Sequence, residues 1–387
     1  MTRDADVIVL GLGGIGSGAA YWSTKLGARV EAFERFEFGH ARGESHDHSR
    51  IIRLSYVTPA YVRFAKDAYA AWTQLERDSG ETIVYRTGGL DLGPKDGAIP
   101  LEGYADAMRS EGVSFEHLDA DAIRTRWPQF RIDDGVRGLF QADGGIVAAE
   151  RATRAHQRMA VEGGARLHER TSVDAIDCTG GEVAVRAGGQ TYRAGRLIVA
   201  AGPWSAPVLD GLGYRVPLEV TKEQAMYFAV ERPDAFAMER FPIWIWMDDP
   251  SFYGFPVFGE FGAVKITQDA GGRPVDPDVR TFEEDPELSM RVAGFVHELL
   301  PTVGPVRIVK TCLYTLTPDR DFVIDRLPHH PQVSIAIGAG HAFKFASAIG
   351  RVLALDATSG ALPDGLSDFS ILRPVLQMAD PPKSYMV

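Results

Sequence analysis

The chain has 387 residues, more than one ordinary domain, with 45% hydrophobic and 24% charged residues, the balance of a globular protein. A formal net charge of −11 argues against nucleic acid or an anionic membrane surface as the main partner. Two cysteines, Cys178 and Cys312, are too few for a secreted disulfide framework, and no apolar run approaches the roughly 20 residues that span a bilayer.

Val7, Ile8, Val9 and Leu10 form a short apolar run, the pattern of a buried parallel strand rather than a signal peptide. It runs into Gly11-Leu12-Gly13-Gly14-Ile15-Gly16, after which residues 17–26 read as a helix rich in small residues. Gly27 breaks that helix, and residues 28–33 read as a second strand ending at Glu34. Gly11 permits the tight turn, Gly13 lets backbone approach a pyrophosphate, and Gly16 lets helix and strand pack closely. The helix N-terminus favours the anion, and Glu34 is placed to accept from a ribose hydroxyl. Glu34 argues against NADP, but the motif alone does not separate FAD from NAD.

Residues 83–93 read as a strand pair or bend, residues 98–129 as helical with short breaks, and residues 149–162 as a helix followed by a strand from Gly163. Short alternating strands fill residues 173–201, with Cys178 expected as ordinary core on one of them. They close on Ala201-Gly202-Pro203-Trp204, a second place where backbone can approach a cofactor. From about Pro217 to Arg307 aromatic, strand-like segments suggest a largely antiparallel substrate domain, with Trp244, Trp246, Phe252 and Phe255 expected in its core. Strands near residues 322–325 and 333–337 and a helix over 345–358 return to the first style, so the cofactor domain is expected to be discontinuous. The C-terminal Ser384-Tyr385-Met386-Val387 is no peroxisomal address, and the cytoplasm is the simple location.

Three further segments complete the pattern: His46-Asp47-His48-Ser49-Arg50-Ile51-Ile52-Arg53, Lys310-Thr311-Cys312-Leu313-Tyr314-Thr315, and Gly338-Ala339-Gly340-His341-Ala342-Phe343-Lys344-Phe345. With the glycine motif they resemble the monomeric sarcosine oxidase and N-methyltryptophan oxidase family of D-amino-acid-oxidase-like flavoproteins, over about Asp6 to Gly360. The resemblance implies an α/β fold: a Rossmann-like FAD-binding domain over residues 1–80, 145–216 and 308–375, and a substrate domain of mainly antiparallel sheet plus helices over 81–144 and 217–307. Expected cofactor contacts are Gly11, Gly13, Gly14, Ile15, Gly16, Glu34, Arg35, Val173, Gly202, Trp204, Gly340 and Lys344, with FAD held covalently through Cys312.

Arg53 and Lys344 are expected to share a substrate carboxylate, since arginine offers a planar fork to it. Tyr253, Tyr314 and His341 are expected around them, with Arg50 and His46 nearer the flavin. Lys265, the one charge in an apolar strand, matches a family lysine beside flavin N5 that promotes reaction with oxygen. Asp269 stands where sarcosine-type members carry histidine, and this feature is similar to the piperideine-2-carboxylate oxidase of nikkomycin biosynthesis. The implied activity is oxidation of a secondary or cyclic amino acid. Hydride passes from the carbon next to the amine to flavin N5, O2 is reduced to hydrogen peroxide, and Asp269 orients or deprotonates the amine. A monomer without a metal is expected. A flavin dehydrogenase using another acceptor, a non-catalytic dinucleotide-binding protein and an NAD-dependent dehydrogenase are the alternatives.

Overall fold

The computed structural model describes residues 3–259 and 261–384; the last three residues of the C-terminal address lie outside it. The apolar run Val7–Leu10 is the centre of a six-stranded sheet because it is buried on both faces and pairs in parallel on both edges. The strand order is Val323–Leu327, His330–Ile337, Arg196–Val199, Val7–Leu10, Val30–Phe33 and Arg166–His168, all parallel but for the first. Start, middle and end of the chain therefore meet in one sheet, as parallel pairing through crossovers requires.

The first helix spans Gly14–Lys25, starting three residues before the expected position, because Gly14 already has helical backbone inside the glycine motif. Its small residues serve close packing: Gly350 of the helix Ala346–Ser359 lies so near Gly18 that an added Cβ would stand 2.5 Å from the Gly18 carbonyl carbon. A 21-residue helix, Pro59–Ser79, begins at Thr58, whose hydroxyl accepts the Tyr61 amide, and ends at Gly80 in left-handed conformation.

A nine-stranded sheet forms the second layer. It runs Arg273–Pro274, Glu219–Val230, Ala263–Gln268, Phe252–Gly254, Ile243–Trp246, Gly89–Pro94, Val136–Gln141 and Glu116–Asp119, with Val303–Leu316 also paired to Glu219–Val230. Only the pairing of Ile243–Trp246 with Gly89–Pro94 is parallel. The helix Pro286–Leu299 covers one face with Leu288, Val292, Val296 and Leu299. Trp244, Phe252 and Phe255 are buried core, Phe252 stacking on Phe295, and Trp246 is half-buried beside them. Two small antiparallel sheets complete the fold: Val173–Asp177 with Val183–Ala187 and Gln190–Ala194, and Gly145–Ala148 between Ser49–Ile52 and Val84–Arg86.

Several expectations are corrected. Residues 83–93 hold two strands, but they pair into different sheets because Thr87 and Gly88 separate them. Residues 98–129 are not helical throughout: Glu116–Asp119 is an edge strand between the helices Leu101–Ser110 and Ala120–Arg126. Cys178 lies one residue past its strand and is half-buried. The expected boundary at residue 308 falls inside Val303–Leu316, which stays paired with Glu219–Val230 through Leu316. Among the described residues, no helix is long and apolar enough to cross a membrane.

Candidate active site

The strand Val7–Leu10 delivers the backbone to Gly11, whose φ of +88° only glycine takes freely. A Cβ there would sit 2.3 Å from the Ala200 carbonyl oxygen, and one on Gly16 would sit 1.9 Å from the Gly11 carbonyl oxygen. Turn, helix and the neighbouring strand are thus packed backbone to backbone. Beside them lies a groove of about 580 Å³ walled by Gly11, Gly13, Gly14, Ile15, Glu34, Arg35, Val173, Gly202 and Trp204. Glu34 accepts the Leu12 amide at 2.9 Å and the Phe36 amide at 3.1 Å, and His40 stands 3.4 Å away. Burial pushes its carboxyl up, but the His40 and amide hydrogen bonds outweigh that and hold it below the ordinary range. Arg35 pairs with Asp278 at 2.7 Å, and the Trp204 indole donates to the same carboxylate. Asp278, from a distant loop, gave no signal in the sequence. The glycine cradle, the helix N-terminus and the strand-end carboxylate fit the pyrophosphate and ribose of FAD.

A second cavity of about 140 Å³ shares Gly14, Ile15, Glu44, Ser45 and Gly338 with the groove. Its wall brings together Arg50, Arg53, Tyr253, Asp269, Tyr314, Gly340, His341 and Lys344, from five separate segments of chain. Arg50 and Arg53 belong to or follow the strand Ser49–Ile52, which excludes a solvated helix face. Arg50 is bound through three backbone carbonyls, those of Glu44, Ser49 and His46, and among the described residues it forms no ion pair with a carboxylate. Arg53, 5% exposed, pairs with Asp91 at 3.0 Å, while its buried Nε makes no hydrogen bond among the described residues. Lys344 forms no ion pair among the described residues. Burial, then Arg53, lower its ammonium to about 7, with Asp269 acting the other way.

Asp269 pairs with Arg320 at 3.2 Å, and Arg320 is almost wholly buried. The Tyr253 and Tyr314 hydroxyls lie 3.1 Å apart, and both are pushed up, first by burial. Gly340, at φ +81°, leaves room for the Tyr314 ring, which a Cβ would meet at 2.7 Å. His341 holds its Nε2 2.8 Å from the Arg320 carbonyl and stacks on Phe322, and burial keeps the ring neutral. Ile99, Tyr104, Ile245 and Met247 supply a largely apolar remainder.

Cys312 and Lys265 line a third, smaller space with His46, Arg50, Tyr253 and Tyr314. Cys312 lies opposite Glu223 on the strand Val303–Leu316, and burial raises its thiol to about 11 against the pull of Arg50 and Lys265. His46 is lowered to about 3, first by burial and then by Arg50. Lys265 is 4% exposed in a strand paired on both sides, which excludes a strand-edge lysine. It donates to the Ser49 carbonyl and lies 2.6 Å from Asp47. Asp47, Asp91 and Arg320 are site residues that sequence reasoning missed. Asp91 carried a signal, a lone charge between Leu90 and Leu92.

The pattern of the FAD dependent oxidoreductase family matches residues 6–355. The chain is 31% identical over 385 residues to the monomeric sarcosine oxidase of Arthrobacter sp. (strain TE1826), covering 98% of each. It is 30% identical over 374 residues to the N-methyl-L-tryptophan oxidase of Salmonella arizonae, 95% of this chain and 98% of that one. The solved open form of NikD, an amino acid oxidase essential for nikkomycin biosynthesis, superposes with a TM-score of 0.85 at 27% identity, over 100% of this chain and 99% of that one.

Proposed function

The chain belongs to the FAD-dependent oxidoreductase family, and from that premise we propose that it oxidises a secondary or cyclic α-amino acid whose carboxylate meets Arg53 and Lys344. It is an FAD-dependent amine or amino acid oxidase. One observation carries the choice of contacts: a buried guanidinium Nε without a hydrogen bond and an ammonium without an ion pair share the wall of one cavity. Buried donors and cations are costly unless paired, and a carboxylate satisfies both at once.

Bound FAD supplies the two-electron oxidation of the carbon–nitrogen bond and the return of electrons to O2 as hydrogen peroxide. The protein's part is orientation and charge. Arg53 and Lys344 anchor the carboxylate, Ile99, Ile245 and Met247 take the hydrocarbon part, and Asp269 receives or steers the proton of the amine, which must be neutral to release a hydride equivalent. Lys265 provides the cation that an anionic oxygen species needs, supported by its burial and its place near Cys312. Arg50 and His46 line the same small space as Lys265 and Cys312, the first as a fixed cation and the second as a neutral ring. Cys312 is the proposed thioether anchor, supported by its position among Lys265, Arg50 and Tyr314. The reading extends to a cytoplasmic monomer, supported by the two-cysteine composition and by the monomeric sarcosine oxidases among the relatives.

Anaerobic mixing of the holoenzyme with secondary and cyclic amino acids, and with the same amines lacking the carboxylate, tests the proposal. Carboxylated amines are expected to bleach the flavin band, and air to restore it with release of peroxide. Equal bleaching by the decarboxylated amines would refute the carboxylate site. In acid precipitation the yellow colour is expected in the pellet, and in the supernatant for Cys312→Ala; colour in the supernatant of the unaltered protein would refute the thioether.

A further inference from the structure

None of the steps above uses Asp47, yet side chains from three strands converge on it. One carboxylate oxygen lies 2.6 Å from the Lys265 ammonium, and the other lies 2.9 Å from that of Lys310 and accepts the Tyr227 hydroxyl at 2.5 Å. Its backbone takes a φ of +87°, a region uncommon for residues with a side chain. The two lysines differ in depth: the Lys265 side chain is 5% exposed and that of Lys310 is 29% exposed.

A lone ammonium at this depth tends to shed its proton, because burial disfavours the charged form. A carboxylate in contact opposes that tendency: at Lys265 burial still holds the ammonium below the ordinary lysine range, with Asp47 pulling it back up and Arg50 pushing it down. It also cancels the charge it protects. With Lys310 on the opposite oxygen, two cations share one anion, and the cluster keeps a net charge of +1.

The other titratable neighbours do not take over the task. From the segment containing Ser49–Ile52, Arg50 is a second cation tied to backbone carbonyls, and His46 is neutral. From Glu219–Val230, Tyr227 sits opposite Lys265 in register, and Glu223 is bound by Thr221 and the Gly272 amide. Tyr253 and Cys312 face the cluster from their own strands, with burial raising both, and Arg280 adds a further cation beside His46 and Cys312. Among the described residues, Asp47 is the carboxylate in contact with Lys265.

We infer that Asp47 is a positioning residue for Lys265, fixing its ammonium near Cys312 and keeping it charged, and that Lys310 restores the positive field that Asp47 cancels. The inference rests on the reading of Lys265 as the cation of the oxygen reaction.

The test uses holoenzyme carrying Asp47→Asn, Lys310→Met or Lys265→Met. Three quantities are read: the pH dependence of reoxidation by O2, the pH titration of the bound flavin's absorbance, and sulfite affinity. Reoxidation falls as pH rises and the ammonium deprotonates. In Asp47→Asn the midpoint of that fall, and the matching flavin midpoint, move down by about one pH unit or more, a tenfold change in the proton equilibrium. In Lys310→Met the plateau rate and sulfite affinity fall about tenfold, and the midpoint does not move down. Unmoved midpoints in Asp47→Asn, with Lys265→Met slowing reoxidation, would overturn the inference and leave Lys265 its role. Lys265→Met that reoxidises like the unaltered enzyme would overturn that role and the inference with it. If Asp47→Asn yields no holoenzyme, Lys310→Met decides: an unchanged plateau and sulfite affinity overturns the proposal.

Discussion

Replacing Asp91 by asparagine keeps the shape of the Arg53 partner and removes its charge. The pair is nearly sealed, with side chains 6% and 4% exposed at 3.0 Å. At an effective dielectric constant of about 20 the attraction over that distance is about 5.5 kcal/mol, and removing one partner of such a pair costs roughly 3–5 kcal/mol. With an unfolding entropy of about 2.1 cal/mol/K per residue over 387 residues, that corresponds to a fall in Tm of about 4–6 °C. The informative measurement is what a ligand does next. A cyclic carboxylate that has no oxidisable amine should raise the Tm of Asp91→Asn by more than it raises that of the unaltered protein, because it supplies the missing anion to Arg53. Thermal unfolding of both proteins with and without the carboxylate reads this directly. Equal ligand-induced shifts would show that the carboxylate does not meet Arg53, and the reasoning from its unbonded Nε would fail.

Gly16→Ala should yield protein without yellow colour, since its Cβ would stand 1.9 Å from the Gly11 carbonyl oxygen; the ratio of flavin to protein absorbance checks it. Because the Lys344 ammonium is lowered to about 7, it is charged below that pH and loses its proton above it. The affinity of the free enzyme for an amine-free carboxylate should therefore fall as pH rises through about 7, and Lys344→Arg should flatten the profile in titrations of the flavin spectrum. Asp269→Ala should lose most turnover while substrate still binds, seen as a kcat fall of tenfold or more with little change in carboxylate affinity; unchanged turnover would remove Asp269 from the chemistry.

What could be read from the sequence was local or carried by a motif. The glycine turn is legible because Gly11, Gly13 and Gly16 fall within six consecutive residues, and the strands around them show as apolar runs. Arg53, Lys344, Tyr253, Tyr314 and Asp269 meet in one cavity although up to 291 positions separate them, and only the family pattern could join them in advance. Their countercharges were hidden for the same reason. Asp91 reaches Arg53 from another sheet, Arg320 reaches Asp269 across 51 positions, and Asp47 meets Lys265 across more than two hundred. Pairing of distant charges leaves no periodicity to read. The edge strand Glu116–Asp119 was missed because exposed polar residues there lack the alternation that marks a half-buried strand.

The place of Val7–Leu10 at the heart of the six-stranded sheet has a bearing on how the protein is made. This strand leaves the ribosome about 190 residues before its neighbour Arg196–Val199, and His330–Ile337 follows later still. At roughly 5–20 residues per second, an apolar strand with an open edge waits for about 10–40 s before that neighbour arrives. During that interval the nascent chain is a target for chaperones and for pairing with other nascent chains. The lining of the cofactor groove runs from Leu10 to Gly338, so it is complete only after synthesis has passed Gly338.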